Sequence, residues 1–113
     1  MKEFMLIFRN EYNPNHRPSP EELQASLKKW ENWIGGIAAQ GKLVGTNALG
    51  FTGKTVQNGK ETTDGPYAEV KEIVGGYLIL KAATLDEAVT HVDGCPILEI
   101  GGKVEVRDVM VFD

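Results

Sequence analysis

The sequence predicts an α+β protein of one domain, residues 1–113, whose elements follow the order βαββαβ with an extra β-hairpin. Three observations support this prediction: short apolar runs alternate with two helical patterns, both helices open with the same capping signal, and the turn dipeptide Asn58-Gly59 separates two extended segments. With both helices on one side of the sheet, this order is that of a ferredoxin-like fold.

The strands are predicted from short segments that are apolar or alternating. They cover residues 4–8, an irregular stretch at 42–51, residues 73–82 and residues 103–112. The pair Gly75-Gly76 interrupts the third strand, and glycine within a strand marks a bulge or a close approach of another group. The space beside this pair has three interpretations: a small ligand, the strands of a partner, or a large ring such as Trp30 fills it.

Both helices are predicted from a capping box and an apolar stripe. Ser19 and Glu22 open the first helix and Gly41 ends it; its stripe is Leu23, Leu27, Trp30, Ile34, Ile37 and Ala38. Thr84 and Glu87 open the second helix, which Gly94 and Pro96 stop; its apolar face is Leu85, Ala88, Val89 and Val92.

Charge and composition exclude several classes of function. The net charge is −4 and the cations are scattered, which disfavours a nucleic-acid partner. No apolar run approaches the roughly 20 residues that a membrane helix needs. Cys95 is the single cysteine, which excludes an intrachain disulfide and a cysteine metal site and is typical of a small buried hydrophobe. A cytoplasmic protein without a metal or cofactor is therefore expected.

Apolar side chains occupy both faces of the predicted sheet. Phe4, Leu6 and Phe8 alternate with Met5 and Ile7, and the other central strand behaves in the same way. Two helices cover only one face, so the sequence predicts a homodimer in which a second copy covers the other. The alternative is that the extra hairpin folds over the free face.

Three residues are candidates for proton transfer. Asp64 and Tyr67 lie in a turn sequence, where they would either line the mouth of a cleft or only shape the turn. His16 lies in the polar loop before the first helix, as an acid or base or as an exposed side chain. Trp33 is a candidate for a pocket rim, and His91 is expected to face either solvent or a helix edge.

At residues 63–72, TDGPYAEVKE, and in the segments FMLIF, SPEEL, AAQGKLV and TLDEAVTHVDGCPIL, the chain resembles the YCII-related family in its DGPF-type branch. Tyr67 stands where the namesake motif has Phe. The resemblance implies a ferredoxin-like subunit and a dimeric α+β barrel. It extends over nearly the whole chain.

The resemblance implies two functions. One is a small-molecule binding or regulatory protein, since many DGPF-type proteins are encoded beside alternative sigma factors. The alternative is a dehydrochlorinase-like lyase that acts on a small acidic or aromatic molecule, with His16, Asp64 and Tyr67 as its catalytic group. Lyases of the wider family are thought to use a His–Asp pair, at whose places this chain has Glu22 and the Thr46-Asn47 pair.

Overall fold

The computed structural model describes residues 1–11, 18–59, 61–65 and 72–112. Six strands and three helices lie in these ranges. They are β1 (Lys2–Glu11), α1 (Pro20–Ala39), β2 (Leu43–Ala48), β3 (Lys54–Thr55), β4 (Thr63–Asp64), β5 (Glu72–Ala82), α2 (Leu85–Thr90), α3 (Pro96–Glu99) and β6 (Lys103–Asp108). No helix in the described ranges is both long and apolar enough to span a bilayer.

Four strands form one antiparallel sheet in the order β2-β5-β1-β6. With strands joined by α1 and by the α2–α3 segment, this order confirms the predicted ferredoxin-like fold. β3 and β4 pair separately as the expected extra hairpin, and Gly59 turns with a φ of 74°. The hairpin loop is longer than the predicted two residues, because pairing stops at Thr55 and Thr63.

The hydrophobic core lies between the sheet and the helices. Phe4, Leu6 and Phe8 of β1 are buried, as are Leu78 and Leu80 of the neighbouring β5. The helices contribute Ile37, Ala88 and Ile97 to the same core. Each fully buried aliphatic or aromatic side chain contributes roughly 1.5–3 kcal/mol, so this layer is the main source of stability.

The predicted capping signals are present at the starts of α1 and α2. Ser19 Oγ accepts a hydrogen bond from the Glu22 N–H at 3.1 Å, and Thr84 Oγ1 accepts one from the Glu87 N–H at 3.1 Å. Gly41 follows the end of α1 with a φ of 72°, a conformation that glycine adopts without strain. The predicted helix starts are therefore confirmed.

The C-terminal strand is shorter than predicted. β6 ends at Asp108, and the N–H of Val109 still donates to the Glu3 carbonyl at 3.0 Å. The neighbouring strand β1 begins at Lys2. The chain therefore reaches the end of its pairing partner here, and the segment 110–112 is not part of the sheet. Their side chains are 70–84% exposed.

The second predicted helix is divided in two. α2 ends at Thr90, and a separate turn of helix, α3, starts at Pro96, where the sequence predicted only a stop. Proline fits the first helical position because its missing N–H is not needed there. The predicted apolar face is only partly buried, since Leu85 and Val89 are each 49% exposed.

Candidate functional site

A cavity of about 550 Å³ lies between α1 and one end of the sheet, and we call it the helix–sheet cleft. Most of its lining is aliphatic or aromatic. The described lining residues are Phe8, Asn10, Leu23, Ser26, Leu27, Trp30, Glu31, Ile34, Thr46, Asn47, Ala48, Leu49, Phe51, Gly75, Gly76 and Ile97. A mainly apolar cavity of this size with a few polar groups is typical of a small-molecule site.

The helical side of the cleft comes from the first half of α1. Leu23 and Leu27 are 49% and 61% exposed, although their spacing predicted core positions. The stripe faces the sheet side of the helix, but Leu23 and Leu27 border the cavity there. Contact with the core begins at Trp30 and continues at Ile34 and Ile37.

Two tryptophans on α1 have different surroundings. Trp30 lines the cleft and packs edge-on against Phe8, with ring centroids 5.0 Å apart. Trp33 contacts the same rings, but its Nε1–H donates to the His91 carbonyl at 3.1 Å and so ties α1 to the end of α2. The prediction that Trp33 reaches the pocket rim was wrong, and Trp30 takes that position.

The glycine pair forms part of the opposite wall. Phe8 pairs with Gly76 and Arg9 with Val74, so Gly75 is the extra residue of a bulge. A Cβ on Gly76 would lie 2.8 Å from the Asn47 carbonyl oxygen, which shows a close approach of β2. The predicted bulge and close approach are both confirmed, and the space beside the pair belongs to the cleft.

Two residues of β2 in the cleft lining have polar side chains that already have partners. Thr46 Oγ1 donates to the Tyr77 carbonyl at 2.8 Å, and Asn47 Nδ2 donates to the Tyr77 hydroxyl at 2.8 Å. These are the positions at which the resemblance expects the acidic member of a dyad. Glu22, at the place expected for the histidine, has its backbone N–H in the helix cap.

The predicted catalytic residues are only partly within the described ranges. Asp64 is on β4 with its side chain 93% exposed, and its carboxylate lies 3.6 Å from Lys54 Nζ. It is not among the described cleft residues. His16 and Tyr67 lie outside the described residues. In the ranges that are described, no three His, Cys, Asp or Glu side chains form a group that could hold a metal ion.

A charged cluster lies away from the cleft, where β2 meets α2. Lys42 Nζ donates to Glu87 Oε1 at 2.8 Å and lies 3.4 Å from His91 Nε2. The Lys42 hydrogen bond, and then the Ala83 N–H, hold the pKa of Glu87 below its ordinary value. His91 is half-buried in this cluster, at the C-terminal end of α2. The cluster therefore connects the segment after α1 to α2.

The single cysteine is a core residue, as the sequence predicted. Cys95 is 1% exposed, and burial raises the pKa of its thiol to about 11. A thiol in this state has little nucleophilic thiolate near neutral pH. Its role in the described structure is packing.

A second depression of about 500 Å³ lies at the opposite end of β1. Lys2, Arg107 and Asp108 contribute charged side chains to its lining, beside Phe4 and Leu85. It has neither the glycine pair nor the tryptophan of the helix–sheet cleft.

Comparisons with known proteins agree with the resemblance seen in the sequence. A family model described as the YCII-related domain matches residues 4–113. Among solved structures, the chain is similar to 5-chloro-2-hydroxyhydroquinone dehydrochlorinase (TftG) from Burkholderia phenoliruptrix AC1100 in complex with 2,5-dihydroxybenzoquinone. The identity is 18%, the TM-score is 0.48, and the match covers 95% of this chain and 93% of the other. No curated protein gives a significant match.

Proposed function

The chain belongs to the YCII-related family, and we propose that it is a small-molecule binding protein whose ligand occupies the helix–sheet cleft. The observation that carries this proposal is the cleft itself, an apolar cavity of about 550 Å³ within the fold. Cavities of about 300–1,000 Å³ with mainly apolar linings are the usual sites for ligands of this size.

The exposed leucines of α1 support this proposal. Leu23 and Leu27 are 49% and 61% exposed and line the cleft together with Phe51, which is 56% exposed. Covering such side chains is favourable by about 25 cal/mol per Å² of apolar surface. A ligand in the cleft would therefore gain affinity from side chains that the folded chain leaves in contact with water.

Binding is favoured over lyase chemistry by the polar groups of the cleft. Glu31 is the one titratable side chain among its described lining residues, and the Thr46 and Asn47 side chains are already hydrogen-bonded to Tyr77. Proton transfer requires an acid or base within hydrogen-bond reach of the substrate. The described lining offers a cavity for binding with a single carboxylate.

The test is binding of the neutral fluorescent probe N-phenyl-1-naphthylamine, measured by its emission and by quenching of tryptophan emission. Wild-type protein should bind it, and Leu27→Gln should weaken binding because a polar side chain replaces part of the cleft wall. Leu98→Gln is the matched control, since Leu98 is a helical leucine 46% exposed and outside the cleft lining. Equal weakening by both variants, or no binding by the wild type, would refute the proposal.

We also propose that two copies pair through the helix-free side of the sheet, which we call the open face. It carries Met5, Ile7, Tyr77 and Ile79, all half-buried in the single chain. Ile7 lies opposite Tyr77 and Met5 opposite Ile79, so the four side chains form one apolar patch. An apolar patch on the sheet face that carries no helices is typical of a subunit interface.

Charged residues border this patch on β6. Glu105 lies opposite Ile7 and accepts a hydrogen bond from Arg9 Nε at 3.2 Å, and Arg107 lies opposite Met5. An apolar centre with a polar border is the usual composition of an interface. Because this border carries both a negative charge (Glu105) and positive charges (Arg9 and Arg107), the same surface on a second copy can present complementary charges.

Sedimentation equilibrium at micromolar concentration tests the pairing. The wild type should sediment as a dimer, and Ile7→Asp should sediment as a monomer because a charge replaces the centre of the patch. Val56→Asp is the control, because Val56 is 74% exposed and lies outside the four strands that form the open face. A folded wild-type monomer would show that the open face does not pair.

A further inference from the structure

The polar groups of the cleft indicate what kind of ligand it takes, and this inference rests on the proposed function. Three donors in the lining have no hydrogen-bond partner within the described part of the chain: the Asn10 amide, the Ser26 hydroxyl and the Trp30 indole N–H. Asn10 and Trp30 are half-buried, and Ser26 is exposed. Each of them can donate to an acceptor oxygen on a ligand.

The described lining of the cleft carries only negative charge. Among the described lining residues the one charged side chain is the Glu31 carboxylate, and no lysine or arginine is present. Two cations on the adjacent elements pair elsewhere: Arg9 with Glu105 at 3.2 Å and Lys29 with Glu99 at 3.0 Å. A carboxylate ligand would thus lose water without gaining a counter-charge from this lining, which is strongly unfavourable.

The aromatic side chains of the cleft favour a ring compound. Gly75 and Gly76 of β5 and Leu23 and Leu27 of α1 line the cleft. Trp30 also lines it, and its ring packs edge-on against Phe8 with centroids 5.0 Å apart. Aromatic side chains pack on ring ligands through stacked or edge-on contacts with centroids about 4.5–7 Å apart.

We propose that the helix–sheet cleft takes an uncharged ring compound with an acceptor oxygen and rejects the corresponding carboxylic acid. Trp30 and the glycine pair hold the ring, and the donors of Asn10, Ser26 and Trp30 bind the oxygen. Glu31 repels the anion. Of the small acidic or aromatic molecules that the resemblance implied for the alternative function, this ligand class excludes the acidic ones.

Two probes of nearly the same shape test this selectivity. 2-Acetylnaphthalene is uncharged and has a ketone oxygen, whereas 2-naphthoate is an anion at neutral pH. Titration calorimetry at neutral pH should give a dissociation constant for the ketone lower by at least about tenfold, because the unpaired carboxylate has to be desolvated. Leu27→Gln should weaken ketone binding if the probe occupies the cleft.

Glu31→Lys tests the role of charge, because it replaces the repelling carboxylate with a cation. Its acid-to-ketone affinity ratio should rise severalfold. Glu21→Lys is the matched control, with the same charge change on the same helix but outside the cleft lining. It should leave the ratio unchanged.

The outcomes separate the two proposals. Ketone binding with weak acid binding, and a ratio that changes in Glu31→Lys alone, supports the ligand class. Equal or tighter binding of 2-naphthoate to the wild type overturns it and leaves a binding cleft of other selectivity. Binding of neither ring overturns the ligand class, and it overturns the proposed function as well when N-phenyl-1-naphthylamine also fails to bind. Equal changes in both lysine variants overturn the role of Glu31.

Discussion

Replacement of Gly76 by alanine should destabilise the fold, because the added methyl group has no space. Its Cβ would lie 2.8 Å from the Asn47 carbonyl oxygen and 3.3 Å from the Ala48 Cα. Both atoms belong to the backbone of β2, which is hydrogen-bonded to β5, so neither can rotate away as a side chain would. Relief requires β2 to move away from β5 at the edge of the cleft.

The magnitude follows from two opposing effects. Overpacking in a close-packed region costs about 1–3 kcal/mol. Alanine also restricts the unfolded chain, which returns roughly 0.4–1 kcal/mol. The net loss in the free energy of unfolding should therefore be about 1–2 kcal/mol. For a chain of this length, the melting temperature should fall by about 4 °C for each kcal/mol lost.

Urea and thermal unfolding followed by circular dichroism provide the assay, with two alanine variants as controls. A Cβ on Gly75 would meet only Asn10 Oδ1 at 3.5 Å, an ordinary contact, so Gly75→Ala should cost less than Gly76→Ala. Gly36 lies inside α1 with nothing within 4 Å, and Gly36→Ala should stabilise by about 0.5–1 kcal/mol. If Gly76→Ala is as stable as Gly75→Ala, the steric reasoning is refuted.

Three further predictions concern residues outside the cleft wall. Native Cys95 should resist alkylation at mildly alkaline pH and react only on unfolding, because burial raises its pKa to about 11; rapid native labelling would contradict this. The same shift predicts that stability declines as the pH rises above the thiol's ordinary pKa in the unfolded chain. Glu87→Gln should lower stability at neutral pH, since Lys42 lowers the pKa of Glu87, and urea midpoints of the variant and wild type should converge as the pH falls through that lowered pKa. A pH-independent difference would rule that out. Gly102→Ala should destabilise strongly, because its Cβ would overlap Ile97 Cγ1 and lie 2.9 Å from the Ile97 carbonyl oxygen; an unchanged urea midpoint would contradict this.

Local signals predicted the features that depend on neighbouring residues. The capping boxes at Ser19 and Thr84 fixed the starts of both helices, because a cap involves only residues three apart. The bulge at Gly75 was also predicted, since glycine within an apolar strand marks a bulge or a close approach of another group. These interactions are complete within a short segment and need no knowledge of the tertiary fold.

Features that depend on distant segments were missed. The sequence 109–112 alternates as a strand does, yet a strand also needs a neighbour, and β1 begins only at Lys2. The number of residues that pair is therefore set by the other strand, which no local pattern reveals. In the same way, the exposure of Leu85 depends on how far the short α2 is covered by the sheet.

The candidate site was only partly predictable because helical periodicity identifies a direction and not what lies there. Leu23, Leu27 and Trp30 share the stripe with Ile37, and that spacing correctly placed all of them on the sheet side of α1. Whether such a side chain meets the core or a cavity depends on the opposite wall. The glycine pair gave a hint about that wall, since both glycines line the cleft at the bulge of β5. Combining an apolar helical stripe with a glycine pair in the facing strand is thus the sequence signal for this cleft.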